Sequence, residues 1–497
     1  MSSSKKADHD GTLPFSDDDE PLPAGKQNFS ISAVPEFDAV AASETKDNFG
    51  VLVSLRAPSL SDNACRAPID LVMVLDVSGS MNKASKLDLV KRASSFVIDH
   101  LGHSDRLSIV SFDTRALRIL SLRRMTEKGR DDAKRIVDSL SAKPNAGTNI
   151  LDGLTKGVQV LQERRKQNPV ASMLFLSDGH DTCNNLKSKQ PSEYLPASIV
   201  RGTDKGHQTF PVHTFGFGVN HDPLVMHAIA DLSGGTFSFI ESYDSVQDAF
   251  MRHIGGLLSI VVRDLRLTLR SASDGVGIKS IPSGKHASER SNQESRGTVD
   301  VGDLYADEEK EFLVSVSVPV YVSNGNVRTT PLLDITCSYI DELSNTMIEM
   351  ESVEIRRPGV PLPSDVKVKV EVDRQKNRLD AGEGLAEAQR VAETGDLEGA
   401  RAILSKKISS VRASASGQVG DDLCLQLEAE MRETEEKMGC KETYERVGRA
   451  YALSSMSGHA NQRATSSKNA YVTPNMVNMV NKAQQLIKIE DVKTEEI

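Results

Sequence analysis

The chain has 497 residues, a formal net charge of −10, an aromatic share of only 4% and no tryptophan. This composition argues against a protein that stacks nucleic-acid bases on aromatic rings or neutralises many phosphates. Five cysteines without a C-x-x-C pair favour free thiols, so we expect a cytoplasmic protein, with the nucleus as a second location. No apolar run reaches the roughly 18 residues of a membrane helix, so we predict no membrane span.

The N-terminal part divides into a polar tail and a first strand. Residues 1–26 mix Ser, Lys, Asp and Pro and include the acidic run 16–21, which predicts a disordered acidic tail. Residues 47–57 alternate between apolar and polar side chains, as a half-buried strand does. We therefore expect residues 27–65 to contribute strands to the β-sandwich that is predicted further along the chain.

A regular alternation of strands and helices follows over residues 66–258. It begins with the apolar run Ile69–Leu75, which is typical of a strand buried on both faces of a parallel sheet. Further strands are predicted at 107–112, 172–177, 209–217 and 236–240, and helices at 86–101, 130–141, 150–163, 222–232 and 245–259. This alternation predicts an α/β fold with a doubly wound, mostly parallel, Rossmann-like sheet.

The remainder of the chain predicts a sandwich and then helices. Apolar residues recur at every second position in segments between 259 and 373, the last segment being 366–372, which predicts an antiparallel β-sandwich. If the strand at 47–57 completes this sandwich, the α/β domain is an insertion within it. Residues 374–456 predict a helical hairpin or bundle. Residues 457–497 predict a weakly ordered tail, in which only 474–489 has an amphipathic helical pattern.

Three segments of the α/β domain carry oxygen-bearing side chains beside strand ends or helix starts. Asp76, Ser78 and Ser80 follow the first buried strand at alternate positions, so their side chains point the same way in an extended turn. Thr148 precedes a predicted helix, and Asp178 follows another buried strand. Ligands of open α/β sheets bind beyond the carboxyl ends of the strands. Because Mg²⁺ takes about six oxygen ligands, these residues predict a site for a hard divalent cation.

The same five residues resemble the metal-ion-dependent adhesion site of von Willebrand factor A domains, and the resemblance covers residues 66–258. It implies that Mg²⁺ or Mn²⁺ is bound by Asp76, Ser78, Ser80, Thr148 and Asp178. It also implies one open coordination position, which an acidic side chain of a partner protein fills in family members of this kind. The resemblance therefore predicts a metal-dependent module that binds another protein.

The outer parts of the chain resemble the plant RING-type ubiquitin ligases typified by the Wavy Growth root-bending proteins. The segments 15–21 (FSDDDEP), 448–455 (GRAYALSS) and 459–465 (HANQRAT) carry this resemblance. It implies a role in protein ubiquitination, as a substrate-recruiting or regulatory relative of these ligases. Ligases of that family carry an N-terminal Cys/His zinc module, whereas no cysteine precedes Cys65. We therefore expect a chain without a RING module, without ligase activity of its own, and not an enzyme.

Other interpretations stay open at this point. The Asp76-x-Ser78-x-Ser80 pattern alone is compatible with an Asx turn, and a bound cation can serve only to tie loops together. A metal-dependent hydrolase would use the cation as a Lewis acid and would need a general base, for which His180 is the only histidine beside a motif residue. A structural protein would instead self-associate through its helical C-terminal part.

Overall fold

The computed structural model describes residues 29–60, 66–83, 86–184, 186, 190–200, 210–241, 246–321, 329–341, 344–466 and 470–495. The acidic tail predicted at residues 1–26 lies outside these ranges. The described residues form a six-stranded mixed sheet, two antiparallel sheets and a group of C-terminal helices. The predicted fold class, a doubly wound α/β sheet with a β-sandwich and a helical region, is confirmed.

Two strands precede the α/β unit, namely β1 (Ser30–Pro35) and β2 (Lys46–Arg56). The strands of the α/β unit are β3 (Ile69–Asp76), β4 (Arg106–Phe112), β5 (Ala116–Arg124), β6 (Val170–Ser177), β7 (Val212–Phe217) and β8 (Phe237–Ile240). Its helices are α1 (Lys86–His100), α2 (Glu127–Asp138), α3 (Ile150–Gln162), the short α4 (Pro191–Tyr194), α5 (Pro223–Ser233) and α6 (Val246–Leu257). Single 3-10 turns lie at Gly79–Asn82 and Ala197–Ile199.

Strand β3 lies inside the six-stranded sheet, whose order is β5-β4-β3-β6-β7-β8. Neighbouring strands are parallel except for β4 and β5, and β5 is an edge strand that the sequence analysis did not predict. Leu71 and Met73 pack under α1 and α6, whereas Val72 and Val74 pack under α3 and α5. Each fully buried aliphatic side chain of this kind stabilises the fold by about 1.5–3 kcal/mol. The chain builds β4 and β5 on one side of β3 and then crosses to β6 on its other side, so the sheet has its switch point at β3.

The α/β unit lies between two strands of a sandwich. After α6 the strands are β9 (Ile260–Ser271), β10 (Gly277–Ser280), β11 (Ala287–Arg290), β12 (Arg296–Tyr305), β13 (Glu309–Val318), β14 (Thr329–Asp341) and β15 (Ser344–Arg356). One sheet has the order β1-β2-β13-β10 and the other β11-β12-β9-β14-β15. Strand β2 pairs with β13, with Val53 opposite Phe312. The chain therefore leaves the sandwich after β2 and returns to it at β9.

The stretch 366–372 differs from our expectation of a last sandwich strand. Strand β15 ends at Arg356, and a helix, α7 (Val370–Glu393), begins where the alternating stretch ends. Val366 is 46% exposed and Val370 is 37% exposed. The alternation of these valines with lysines therefore does not correspond to a strand with one buried face. None of the described strands pairs with this stretch. The stretch follows a turn in which the N–H of Asp365 donates to the carbonyl oxygen of Leu362, and the Asp365 carboxylate pairs with Arg356.

The C-terminal helices form their own core and also cover the α/β unit. After α7 they are α8 (Leu397–Ala413), the short α9 (Ala415–Gln418), α10 (Asp422–Lys437), the short α11 (Lys441–Thr443), α12 (Arg449–Asn461) and α13 (Pro474–Glu495), with a π turn at Tyr444–Gly448. We expected a weakly ordered tail from residue 457, but α13 packs on α6 with Met476, Met479 and Ala483 buried. Among the described residues, no helix is both long and apolar enough to span a membrane.

A buried ionic cluster joins the chain after α12 to the sandwich. Glu308 accepts hydrogen bonds from Lys310 at 2.7 Å and from Arg463 at 2.8 Å. Lys310 also donates to the carbonyl oxygen of Gln462, and the Gln462 side chain pairs with the backbone of Glu311. We call the group Glu308, Lys310, Gln462 and Arg463 the C-terminal clasp. It holds the segment between α12 and α13 against β13.

Candidate metal centre

The first loop of the candidate site follows β3, and Asp76 holds it in place. One carboxylate oxygen of Asp76, Oδ1, accepts a hydrogen bond from the backbone N–H of Ser78 at 2.8 Å. The other, Oδ2, accepts one from the Ser177 hydroxyl at 2.7 Å. A carboxylate that accepts from the N–H two residues later closes an Asx turn. Asp76 is fully buried, so this turn fixes where the chain leaves the sheet.

The hydroxyls of this loop meet the carboxylate of the loop that follows β6. The Oγ atoms of Ser78 and Ser80 lie 3.1 Å apart. The Ser80 hydroxyl donates to Oδ1 of Asp178 at 2.7 Å, although 98 residues separate the two in the chain. The contact arises because β3 and β6 are parallel neighbours with Leu75 opposite Leu176, so both strands end at the same edge of the sheet.

Thr148 reaches this edge from the loop that precedes α3. Its backbone N–H donates to the Thr182 hydroxyl at 2.9 Å, and its carbonyl oxygen accepts from the Thr182 N–H at 2.9 Å. A Cβ atom added at Gly179 would lie 3.3 Å from Oγ1 of Thr148 and 3.5 Å from Oγ of Ser80, so both hydroxyls flank Gly179. The structure therefore brings all five residues predicted from sequence to one end of the sheet.

Two residues of this cluster were missed by the sequence analysis. Ser177 donates to Asp76. It is the last residue of the predicted strand before Asp178, and a serine at such a position does not by itself indicate a site. Lys86, the first residue of α1, donates from Nζ to Oδ2 of Asp178. The Lys86 side chain is only 4% exposed and that of Asp178 is fully buried, so the ammonium group is an internal part of the cluster.

The electrostatics of the cluster favour a cation. Burial raises the pKa of Asp76 to about 6, although hydrogen bonds from Ser177 and Ser78 act in the opposite direction. The neighbouring carboxylate of Asp178 adds a further upward contribution to that pKa. Two buried carboxylates thus lie close together with hydroxyl groups around them. Positive charge relieves such an arrangement, and the Lys86 ammonium supplies one unit of it beside Asp178.

The donor set fits a hard divalent ion. Carboxylate and hydroxyl oxygens are the ligand types that Mg²⁺ and Mn²⁺ prefer, whereas Zn²⁺ favours nitrogen and sulfur. Among the described residues, no group of three or more His, Cys, Asp and Glu side chains forms an alternative metal site. The Lys86 ammonium pairs with Asp178, which shows that the cluster accommodates a positive charge at this position. The ligand roles of the five residues stay a prediction.

His180, the residue on which the hydrolase interpretation depends, lies on the loop after Asp178. Its Nδ1 atom is 3.5 Å from Oδ2 of Asp222, and its side chain is 46% exposed. The next residue, Asp181, accepts from the N–H of Ile150 at 2.9 Å and so binds the first turn of α3. The observed contacts of this loop are structural, and none of them favours hydrolysis.

The α/β unit matches a known family over nearly its whole length. Residues 70–252 match the family model of the von Willebrand factor type A domain. This part of the chain is a von Willebrand factor type A domain. Such VWA domains often bind metal ions and mediate protein interactions. Residues 421–485, in the C-terminal helical region, match a second family model, described as VWA / Hh protein intein-like.

A solved structure extends the likeness beyond the VWA domain. It is the von Willebrand factor type A protein from Catenulispora acidiphila, with a TM-score of 0.60 and 18% sequence identity. The match covers 84% of this chain and 90% of that one. At this level of identity the likeness shows the fold alone, and its coverage extends beyond the VWA domain.

Three curated proteins that match more than four fifths of this chain are named as ubiquitin ligases. The probable E3 ubiquitin-protein ligase WAVH2 of Arabidopsis thaliana is 32% identical over 424 residues, which are 83% of this chain and 54% of the relative. The E3 ubiquitin-protein ligase WAV3 of the same plant is 32% identical over 422 residues, which are 82% and 53% of the two chains. The chain thus spans about half the length of these relatives.

These relatives correct one expectation. We expected the chain not to be an enzyme, because its sequence showed no cysteine before Cys65. That expectation is wrong, since the relatives that match more than four fifths of the chain are named as E3 ubiquitin-protein ligases, which are enzymes. The similarity to plant proteins of this kind, anticipated from the terminal motifs, is confirmed.

Proposed function

We propose that the VWA domain is the recognition module of a ubiquitin-ligase-type protein and captures a partner through a divalent cation. In this proposal Asp76, Ser78, Ser80, Thr148 and Asp178 hold Mg²⁺ or Mn²⁺. The ion supplies an electrophilic centre that accepts an acidic side chain of the partner. We further propose that the protein acts in the cytoplasm or the nucleus, in line with the free thiols of its four described cysteines.

The observation that carries the proposal is the meeting of three loops around two buried carboxylates. Asp76 is fixed by Ser177 and by the N–H of Ser78, so it does not need to move when an ion binds. The hydroxyl of Ser80 is already within 2.7 Å of Asp178 and 3.1 Å of Ser78. A rigid set of oxygens lowers the cost of assembling the ligands, because little conformational freedom is lost on binding.

The protein residues leave the ion able to attract a further anion. The charges of the two carboxylates sum to that of a dication, and the hydroxyl ligands are neutral, so the protein adds no excess negative charge around the ion. Ser80 is partly exposed whereas Asp76 and Asp178 are fully buried, so the accessible side of the cluster is the hydroxyl side. An acidic side chain that approaches from this side completes the shell of oxygen ligands. The names of the relatives support the proposal that this partner is a substrate to be ubiquitinated.

The experiment has two steps, of which the first measures the ion. Mn²⁺ and Mg²⁺ are titrated into the purified chain by calorimetry, with the variants Asp76→Asn and Ser80→Ala. Ser108→Ala is the matched control, because Ser108 is a buried serine of the same sheet that donates to the carbonyl oxygen of Leu120. We expect the site variants to bind the ion at least about 10-fold more weakly than the wild type. We expect Ser108→Ala to bind it normally.

The second step measures the partner. Proteins captured by the immobilised chain in Mg²⁺ are compared with those captured in EDTA and by Ser80→Ala, and a recovered partner is then tested with its acidic residues changed to amides. We expect capture to require Mg²⁺, the Ser80 hydroxyl and one acidic residue of the partner. Recovery of the same proteins under all of these conditions would refute the proposal.

A further inference from the structure

We propose that Lys86 sets the cation affinity of this site, because its ammonium group competes with the divalent ion for Asp178. The inference rests on the proposed function and deepens it. It concerns a residue of the chain that no comparison assigns to the site.

The first observation is that both oxygens of the Asp178 carboxylate already accept a hydrogen bond from the protein itself. Oδ1 accepts from the hydroxyl of Ser80 at 2.7 Å, and Oδ2 accepts from Nζ of Lys86. Both side chains of the ion pair are buried, with exposures of 4% for Lys86 and 0% for Asp178. A buried pair is little screened by solvent, so the ammonium exerts nearly its full effect on any second cation.

The second observation is the place of Lys86 in its helix. It is the first residue of α1, where the aligned peptide dipoles disfavour a positive charge. A lysine at this position is therefore not explained by the helix, whereas Asp88 in the same first turn is favourable there. The contact with Asp178 accounts for the lysine, so the charge pairing determines its position.

The two cations cannot share Asp178 equally. A dication close to Asp178 repels the ammonium, and the long flexible stem of a lysine allows Nζ to move away. Binding of the ion thus requires the ammonium to give up a buried partner, and this requirement weakens the observed affinity. In the absence of the ion, Lys86 keeps Asp178 from being an unpaired buried charge, so the domain stays folded.

The test compares Lys86→Met with Lys91→Met, the same substitution on the same helix. Lys91 donates to the carbonyl oxygen of Asp138 and does not contact the cluster. Mn²⁺ and Mg²⁺ affinities are measured by calorimetry, and the melting temperature is measured in EDTA and in Mg²⁺. We expect Lys86→Met to bind either ion at least 10-fold more tightly than the wild type. Its melting temperature should fall in EDTA and rise more than that of the wild type on addition of Mg²⁺.

The outcomes separate this inference from the proposed function. If the wild type and Lys91→Met bind the ion and Lys86→Met binds it equally or more weakly, the role of Lys86 is refuted and the cation site stands. If none of the three proteins binds either ion, the cation site itself is refuted, and the inference with it.

A second measurement covers the case in which Lys86→Met does not fold. The wild-type chain is labelled with acetic anhydride in EDTA and in saturating Mg²⁺, and acetylation of Lys86 and Lys91 is followed by mass spectrometry. We expect the labelling rate of Lys86 to rise several-fold with the ion while that of Lys91 stays constant. An unchanged rate for Lys86 in a sample that binds the ion would overturn the inference.

Discussion

Replacing Glu308 by glutamine tests whether the C-terminal clasp contributes strongly to stability. Glu308 is 4% exposed and accepts from Lys310 at 2.7 Å, from Arg463 at 2.8 Å and from the Tyr305 N–H at 2.8 Å. Glu308→Gln removes the only negative charge of the clasp and leaves the fully buried Lys310 and the partly buried Arg463 facing a neutral amide. Breaking a buried ion pair in this way costs about 3–5 kcal/mol, because the remaining charge loses its partner and stays desolvated.

The pKa of Glu308 gives the same prediction a pH dependence. Burial acts to raise this pKa, but the charges of Arg463 and Lys310 outweigh it and lower the pKa to about 2. A carboxyl whose pKa is lowered by folding stabilises the protein above its unfolded pKa of about 4.5. This contribution is lost as the pH falls from about 4.5 towards 2. Glu308→Gln should lack that part of the acid sensitivity.

The assay is urea unfolding followed by far-ultraviolet circular dichroism at pH 7 and at pH 4. Glu428→Gln is the matched control for the loss at pH 7, since Glu428 pairs with Arg412, whose side chain is 56% exposed. Exposed pairs contribute about 0–1 kcal/mol, so the control should unfold close to the wild type. A loss of less than about 1 kcal/mol for Glu308→Gln would mean that the clasp is not a stabilising contact and would refute the reasoning.

Three further predictions concern the fold. A Cβ added at Gly235 would lie 2.1 Å from the carbonyl oxygen of Val212, so Gly235→Ala should cost at least about 2 kcal/mol in chemical denaturation, whereas Gly359→Ala, with open space around it, should unfold like the wild type. Burial lowers the pKa of His253 from 6.5 to about 3, so below pH 6.5 this imidazole is protonated in the unfolded chain but stays neutral in the folded chain. Stability should therefore fall as the pH drops from 6.5 towards 3, and the loss between pH 6.5 and 4.5 should be smaller in His253→Gln; equal slopes would contradict this. Asp396 accepts from the N–H of Gly399 at 2.8 Å, so Asp396→Ala should lower the unfolding free energy by about 1 kcal/mol, and an unchanged value would argue against the cap.

The parts of the fold that the sequence predicted well are those with a strong local signal. The run Ile69–Leu75 is apolar at all but one position because both faces of β3 are buried, and a short run of this kind is typical of a central parallel strand. The Asp76-x-Ser78-x-Ser80 pattern follows it directly, so the site was anchored to the end of a strand. Thr148 and Asp178 were found because each lies beside an element of the same alternation.

The parts that the sequence did not predict depend on contacts between distant residues. The pair of Lys86 and Asp178 spans 92 residues, and no local pattern indicates it. The alternation at 366–372 has the period of a strand, but a strand also needs a neighbour, and none of the described strands pairs with this stretch. The burial of α13 depends on a shallow surface on α6, where Gly255 and Gly256 allow Met476 to approach.

The insertion of the VWA domain into the sandwich sets the position of the candidate site relative to the sandwich. Residues 66–68 lead directly into the first residue of β3, and α6 leads from β8 back to β9, so these described residues lie at the end of the sheet where β3 begins. The candidate site lies at the other end of β3, which is 8 residues long and therefore spans about 26 Å. The proposed cation site therefore lies at the opposite end of β3 from the residues that lead into this strand from the sandwich.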